Sequence, residues 1–209
     1  MIKINALKKL YGDRTVLDIK SLGIKKGECV VLTGHNGSGK STLLKILAGT
    51  EKQTEGEVLT KGQIYYLPQQ SIPFNKSVKS NILYCLEGKR KDKRELCEKM
   101  LDAFNLKQLE SKNAKTLSGG ECQRLALARV LCKKGDIILL DEPSSAADSK
   151  GRELINQLIR GYCEKNGCTL VMTTHTGEYP RLKKLRIIEL CDGKIISDTE
   201  KREADFNDA

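Results

Sequence analysis

The stretch Gly34-His-Asn-Gly-Ser-Gly-Lys40-Ser41-Thr42 constrains this chain more than any other. It meets the pattern G-x-x-x-x-G-K-[ST] at every fixed position. Ahead of it, Glu28 to Thr33 is a short apolar run of strand type; behind it, Leu43 to Ala48 has helical spacing. A glycine-rich loop between a strand and a helix is an anion trap. Glycines at 34, 37 and 39 let the backbone curl until successive N–H groups point inward. The helix opening near Lys40 adds the positive end of its dipole. Lys40 supplies a full charge for β- and γ-phosphates, and the Ser41 hydroxyl can ligate Mg²⁺. The expectation is nucleotide binding.

The 209 residues suffice for one large domain or two small ones. With 39% hydrophobic and 31% charged residues the chain reads as a globular protein with a real core. No apolar run approaches a membrane span. Met1 to Lys8 alternates like a strand and lacks a signal-peptide core, so a cytoplasmic protein is expected. The net charge is +10, concentrated in Lys89–Arg94 and Arg181–Arg186. Neither cluster is interleaved with aromatics. Each reads first as a solvated helix face or loop and second as a contact for anionic lipid headgroups; nucleic acid is not an expected partner. None of the eight cysteines forms C-x-x-C, and both histidines, 35 and 175, fall in other motifs. No zinc pattern emerges, and the cysteines read as small, reduced core residues.

Residues 1–33 read as strands joined by tight turns at Tyr11–Arg14 and Lys25–Glu28. Gly56–Thr60 reads as a hairpin arm and Ile64–Leu67 as a strand ended by Pro68, with Gln69 and Gln70 next. From about 76 to 116 the periodicity turns helical, over 77–86 and 94–104, with Glu87–Lys93 as a polar, basic linker. Ser118 is a natural N-cap for a helix over 122–132, and the Gly119-Gly120 pair allows close approach to the helix mouth. Asp136 to Leu140 reads as a buried parallel strand ending in Asp141 and Glu142, carboxylates that are costly there unless a cation or reactant uses them. A helix over 151–163, a strand over 168–174 ending at His175, a hairpin from 186 to 196 and a frayed tail over 198–209 complete the reading.

Taken together, these motifs resemble the nucleotide-binding subunit of an ABC transporter. The discriminating element is Leu117-Ser-Gly-Gly-Glu121. It stands shortly before Asp141-Glu142, and His175 closes the next strand. The resemblance covers essentially the whole chain. It implies an α/β fold: a P-loop NTPase core with a mostly parallel sheet, an N-terminal antiparallel β subdomain and an inserted helical subdomain. One domain over 1–209 is expected, with about 76–133 as the insertion.

The family's roles carry over position by position. Tyr11 resembles the aromatic that stacks on adenine, with Val16 beside it. Gly34, Asn36, Gly37, Ser38, Gly39, Lys40, Ser41 and Thr42 would wrap the phosphates of ATP. Ser41, Gln69 and Asp141 would hold Mg²⁺, with Gln69 also sensing the membrane partner. Glu142 resembles the general base, and His175 the switch histidine that contacts the γ-phosphate. Ser118, Gly119, Gly120 and Glu121 would face the ATP of another subunit, and Asp148 would lie on the loop joining two active sites. Implied partners are a second copy or a homologous ATPase subunit in a head-to-tail dimer, transmembrane permease subunits and a solute-binding protein. The place implied is the inner face of the cell membrane.

Some positions depart from the family pattern: Ala147 where leucine is common, Ser149 where proline is common, Thr176 for an acid, and Glu121 for glutamine. These touch cross-site communication rather than hydrolysis. The expected function is ATP-driven transport, most simply import of a small solute. Alternatives are a soluble ABC-type ATPase or a stand-alone exporter or lipoprotein-release ATPase. Only 101 residues (141 − 40) separate Lys40 from Asp141, with no heptad tract, which speaks against the coiled-coil repair ATPases. A P-loop small-molecule kinase would leave Leu117–Glu121 and His175 unexplained. Cargo, direction and permease are not encoded in such a subunit.

Overall fold

The computed structural model describes residues 1–175, 177–202 and 205. Thr176 and the last residues of the tail lie outside them. The chain divides into two compact units, Met1–Tyr66 with Gly135–Glu142 and Gly167–Ala209, and Leu67–Lys134 with Pro143–Asn166.

In the first unit, β1 (Ile2–Tyr11), β2 (Arg14–Ile24) and β4 (Glu55–Thr60) form an antiparallel sheet in the order β2-β1-β4. Alternation fixes its inner face: Ile2, Ile4, Leu7, Leu17, Ile19, Leu22 and Ile24 are buried. The second sheet runs β5 (Ile64–Leu67), β6 (Ile137–Leu140), β7 (Thr169–Thr173), β3 (Cys29–Thr33), β8 (Lys184–Cys191), β9 (Lys194–Arg202). β3 is parallel to both β7 and β8, β6 is parallel to β7, and β9 returns antiparallel to β8. Every residue of β6 and β7 is buried, as in a parallel sheet covered on both faces. Helix α1 (Lys40–Leu47) follows β3 and seats Leu43, Leu44, Ile46 and Leu47 in the shared core with Leu32, Ile137 and Val171.

The second unit is helical: α2 (Val78–Cys85), α3 (Arg90–Ala103), α4 (Gly119–Leu131) and α5 (Ser149–Asn166). Ser77 caps α2 by accepting from Ser80 N. The fully buried Asn81 amide ties Phe74, Lys76 and Ser77 to this helix. Ile82, Cys97, Leu101, Phe104, Leu106, Leu125 and Leu127 fill the interior.

The local expectations fail in three places. The linker expected over Glu87–Lys93 is shorter: α3 begins at Arg90, so most of the Lys89–Arg94 cluster lies on a helix, which the apolar stripe Cys97–Leu101 anchors. The tail does not fray at Asp198; β9 runs to Arg202, held where Asp198 accepts two 2.7 Å bonds from Arg186. Arg186 also reaches Glu28 at 3.0 Å and Gly23 O at 2.7 Å, so it is an internal clamp rather than a solvated charge. The eight cysteines are free, and only Cys97, Cys163 and Cys168 are buried.

Candidate functional site

The carboxyl ends of the neighbouring strands β3, β7 and β6 converge, the place where open α/β sheets bind ligands. The loop after β3 carries the phosphate pattern. Its glycines are a steric requirement at two positions. A Cβ on Gly39, at φ 103°, would lie 2.6 Å from Leu17 Cδ2 and 2.8 Å from Val16 O. One on Gly34, at φ 132°, would lie 2.1 Å from Leu190 O. The loop is thus pressed against β2 and β8, and Val16 stands directly behind it.

Lys40 is 5% exposed, and its ammonium donates to Gly34 O (2.7 Å), His35 O (2.9 Å) and Ser38 Oγ (3.4 Å). Desolvation lowers its pKa; Glu142 and Asp141 oppose that shift by favouring the charge. A buried cation resting on carbonyl oxygens is primed for an anion.

Asp141, 2% exposed, ends β6. Its Oδ1 accepts from Ser41 Oγ at 3.0 Å and from Thr173 Oγ1 at 2.8 Å, and Oδ2 accepts from Tyr66 at 3.5 Å. Burial, then Asp141, raises the Tyr66 pKa, so Tyr66 remains a donor. Glu142 has a left-handed backbone, φ 49°, rare for a residue with a Cβ. Its N–H donates to Thr173 Oγ1 (2.9 Å), and its Oε2 lies 3.2 Å from His175 Nδ1. Thr173 therefore relays between both acids: it accepts from the backbone of one and donates to the carboxylate of the other.

Tyr11 is half-exposed beside the Tyr11–Arg14 turn; its hydroxyl bonds Glu51, which raises its pKa, and also meets Thr42 of the phosphate loop. The structure so brings together, in one unit, Tyr11, Val16, residues 34–42, Asp141, Glu142 and His175.

The remaining predicted residues belong to the second unit. Gln69 is exposed after β5. Ser118 caps α4 in a reciprocal box: its N–H donates to Glu121 Oε2 at 2.8 Å and its Oγ accepts from Glu121 N at 3.4 Å. Glutamate at 121 serves this box as glutamine would, and the bond from Ser118 N lowers its pKa. Asp148 is exposed and accepts from Gly151 N at 2.8 Å, just ahead of α5. Gln123 joins the two segments, donating to Ser145 Oγ (2.9 Å) and accepting from Ala146 N (3.0 Å).

Thr173, Tyr66 and Gln123 were missed as site residues. The run Thr173-Thr174-His175 at a strand end was the available signal for the first; nothing local marked the others.

Residues 17–145, more than half of the chain, match the family model described as ABC transporter. The chain belongs to the ABC transporter family. It is an ABC ATPase with a P-loop NTPase fold. Over 205 residues it is 36% identical to the tungstate uptake system ATP-binding protein TupC of Peptoclostridium acidaminophilum, covering 93% of this chain and 96% of that one. It is 36% identical over 201 residues to the aliphatic sulfonates import ATP-binding protein SsuB 1 of Streptomyces avermitilis, covering 95% and 76%. Among solved structures, the dimeric ATP-binding cassette MJ0796 bound to ADP and Pi superposes with a TM-score of 0.84 at 31% identity, covering 97% and 99%.

Proposed function

We propose that this chain is the ATP-hydrolysing subunit of an importer for a small solute, working on the inner face of the cell membrane through a separate permease. Import is favoured by relatives named for tungstate uptake and sulfonate import, matched over nearly the whole of this chain. The observation that carries the catalytic reading is the Asp141–Thr173–Glu142–His175 constellation beside the phosphate loop.

The residues present fit a magnesium–ATP substrate. Ser41 Oγ and Asp141 Oδ1, 3.0 Å apart, are hard oxygen donors, and Gln69 would add an amide oxygen. Mg²⁺, when bound, neutralises charge on the β- and γ-oxygens. Lys40 would exchange its carbonyl partners for those oxygens, and backbone N–H groups of the phosphate loop would add further donors. Glu142 orients the attacking water and accepts its proton at Oε2. His175 holds that carboxylate and contacts the γ-phosphate. Tyr11 and Val16 receive the adenine. Ser118, Gly119, Gly120 and Glu121 of a second copy cover the γ-phosphate head-to-tail, and Asp148 lies on the loop between the two sites; the dimeric cassette relative supports this pairing. The chain works as a single cassette over 1–209, with about 76–133 as its helical insertion.

Among the described residues no helix is long and apolar enough to cross a membrane. A separate permease would form the path through the membrane, and a solute-binding protein would deliver the cargo. Ile72, Phe74 and Tyr84 are exposed, with Arg129 stacked 4.5 Å over Phe74; this aromatic surface of the second unit, close in sequence to Gln69, is where the permease docks.

The test is Glu142→Gln. ATP affinity should hold, turnover should fall roughly 10²–10⁴-fold, and ATP should now stabilise a dimer on gel filtration. Turnover at the wild-type rate refutes the assignment. Co-purification with a multi-span membrane protein separates a transporter subunit from a soluble ATPase.

A further inference from the structure

His35 is the second residue of the phosphate loop. Its backbone carbonyl accepts from Lys40, but its ring meets the β8–β9 turn. Nδ1 lies 2.8 Å from Asn36 O. A carbonyl only accepts, so Nδ1 carries a proton, and in the neutral ring Nε2 is then the atom with the lone pair. That lone pair stands 3.8 Å from Cys191 Sγ and 3.5 Å from Asp192 Oδ1, and Sγ is 3.8 Å from Asp192 Oδ2. Among the described residues this is the one trio of His, Cys, Asp or Glu whose donor atoms all lie within 4.8 Å of one another.

These separations suit a metal. Tetrahedral zinc bonds of about 2.0–2.3 Å place adjacent donors roughly 3.4–3.6 Å apart. With one oxygen of Asp192 taken as the ligand, the three donor atoms lie within 4.8 Å of one another, so closing them onto one ion needs shifts of up to about an ångström, within reach of side-chain rotation at exposed positions. An imidazole whose other N–H is held by a backbone carbonyl is the arrangement that orients ligating histidines. One nitrogen, one sulfur and one carboxylate form a donor set for borderline-soft cations, not for Mg²⁺ or Ca²⁺. The sequence hid this group because 156 residues separate His35 from Cys191.

The two segments already touch. Gly193 N donates to Ser38 O at 3.1 Å, and Gly34 leaves no room for a Cβ beside Leu190 O. We propose that His35, Cys191 and Asp192 form a site for a zinc-class divalent cation, with water in the fourth position, that clamps the phosphate loop to the β8–β9 turn. The proposal does not depend on the transport reading.

The test uses the full chain, reduced and free of metal and nucleotide. Titration with Zn²⁺ against a chromophoric chelator should show one tight equivalent, and Co²⁺ should give thiolate-to-metal charge-transfer absorption. Cys191→Ser should abolish that absorption and weaken Zn²⁺ at least about tenfold. Asp192→Asn, whose side chain tolerates the left-handed backbone at φ 46°, should also weaken Zn²⁺ and so guards against a fault peculiar to one variant. Cys85→Ser should change nothing. Zn²⁺ should slow amide exchange over residues 34–39 and 188–194 in the wild type but not in Cys191→Ser. Absence of stoichiometric uptake, equal uptake in Cys191→Ser and Asp192→Asn, or protection confined to other segments overturns the site.

Discussion

Thr173 shows how much of this site rests on one hydroxyl. It is fully buried, donates to Asp141 and accepts from the backbone of Glu142. Valine matches its shape but can do neither. Thr173→Val therefore leaves the buried Asp141 carboxylate short of a donor, costing about 1–3 kcal/mol, and removes the Thr173 bond to the Glu142 backbone. The expected result is a fold that persists with lower stability in urea and a fall in turnover that exceeds any loss of ATP affinity. Equal turnover in steady-state assays would remove Thr173 from the site. Lys40 makes the complementary case. Its ammonium is buried against carbonyl oxygens with a lowered pKa, a cost that bound phosphate would offset. Lys40→Ala should leave the free protein folded and remove most ATP affinity. Unchanged binding in a calorimetric titration would count against the cradle.

Elements carry the next level, and α3 is instructive. Glu98 on this helix is bonded by Lys107 and by Lys79, the latter at 2.6 Å, while Lys79 also reaches Glu110 at 3.1 Å. The hydrogen bond from Lys107, then that from Lys79, lowers the Glu98 pKa from 4.5 to about 2. A carboxylate depressed in the folded state stabilises it above the unfolded value and loses that contribution as pH falls through the folded one. Glu98→Gln should therefore lose stability relative to wild type near neutrality, and the gap should close between about pH 4.5 and 2. A gap that is constant across that range, measured by thermal unfolding, would show the network to be inert. This network also explains what the sequence did and did not disclose. Strand-loop-helix order around Gly34–Thr42, the buried run Ile137–Leu140 and the Ser118 N-cap are local, so they were legible from neighbours along the chain. The extension of β9 to Arg202 and the relay through Thr173 depend on partners far away in sequence: Arg186 for Asp198, Asp141 for Thr173. Periodicity carries no record of such pairs. Tyr66 was visible only as a strand residue, since its bond to Asp141 spans 75 positions.

At the scale of the whole molecule, the proposed pairing makes the reaction order the quantity to measure. The phosphate loop and both acids lie in one unit, while the Ser118 box and Asp148 lie in the other. In the proposed head-to-tail pair, Ser118 meets the γ-phosphate bound by another copy. Ser118→Asp tests this without dismantling α4. Aspartate is as good an N-cap as serine, so the helix keeps its first hydrogen bonds. It also sets a negative charge against the phosphate of the neighbouring chain. ATP affinity of the isolated chain should stay within about threefold, because no charge on the chain's own phosphate loop has changed. The ATP-dependent dimer should be lost, and specific activity should drop at least about tenfold, a penalty of the size that like charges across an interface impose. In the wild type, specific activity should rise with protein concentration, as the proposed pairing draws half of each pocket from a second molecule. Activity strictly proportional to protein at every dilution, with Ser118→Asp still active, would mean that one chain hydrolyses ATP alone.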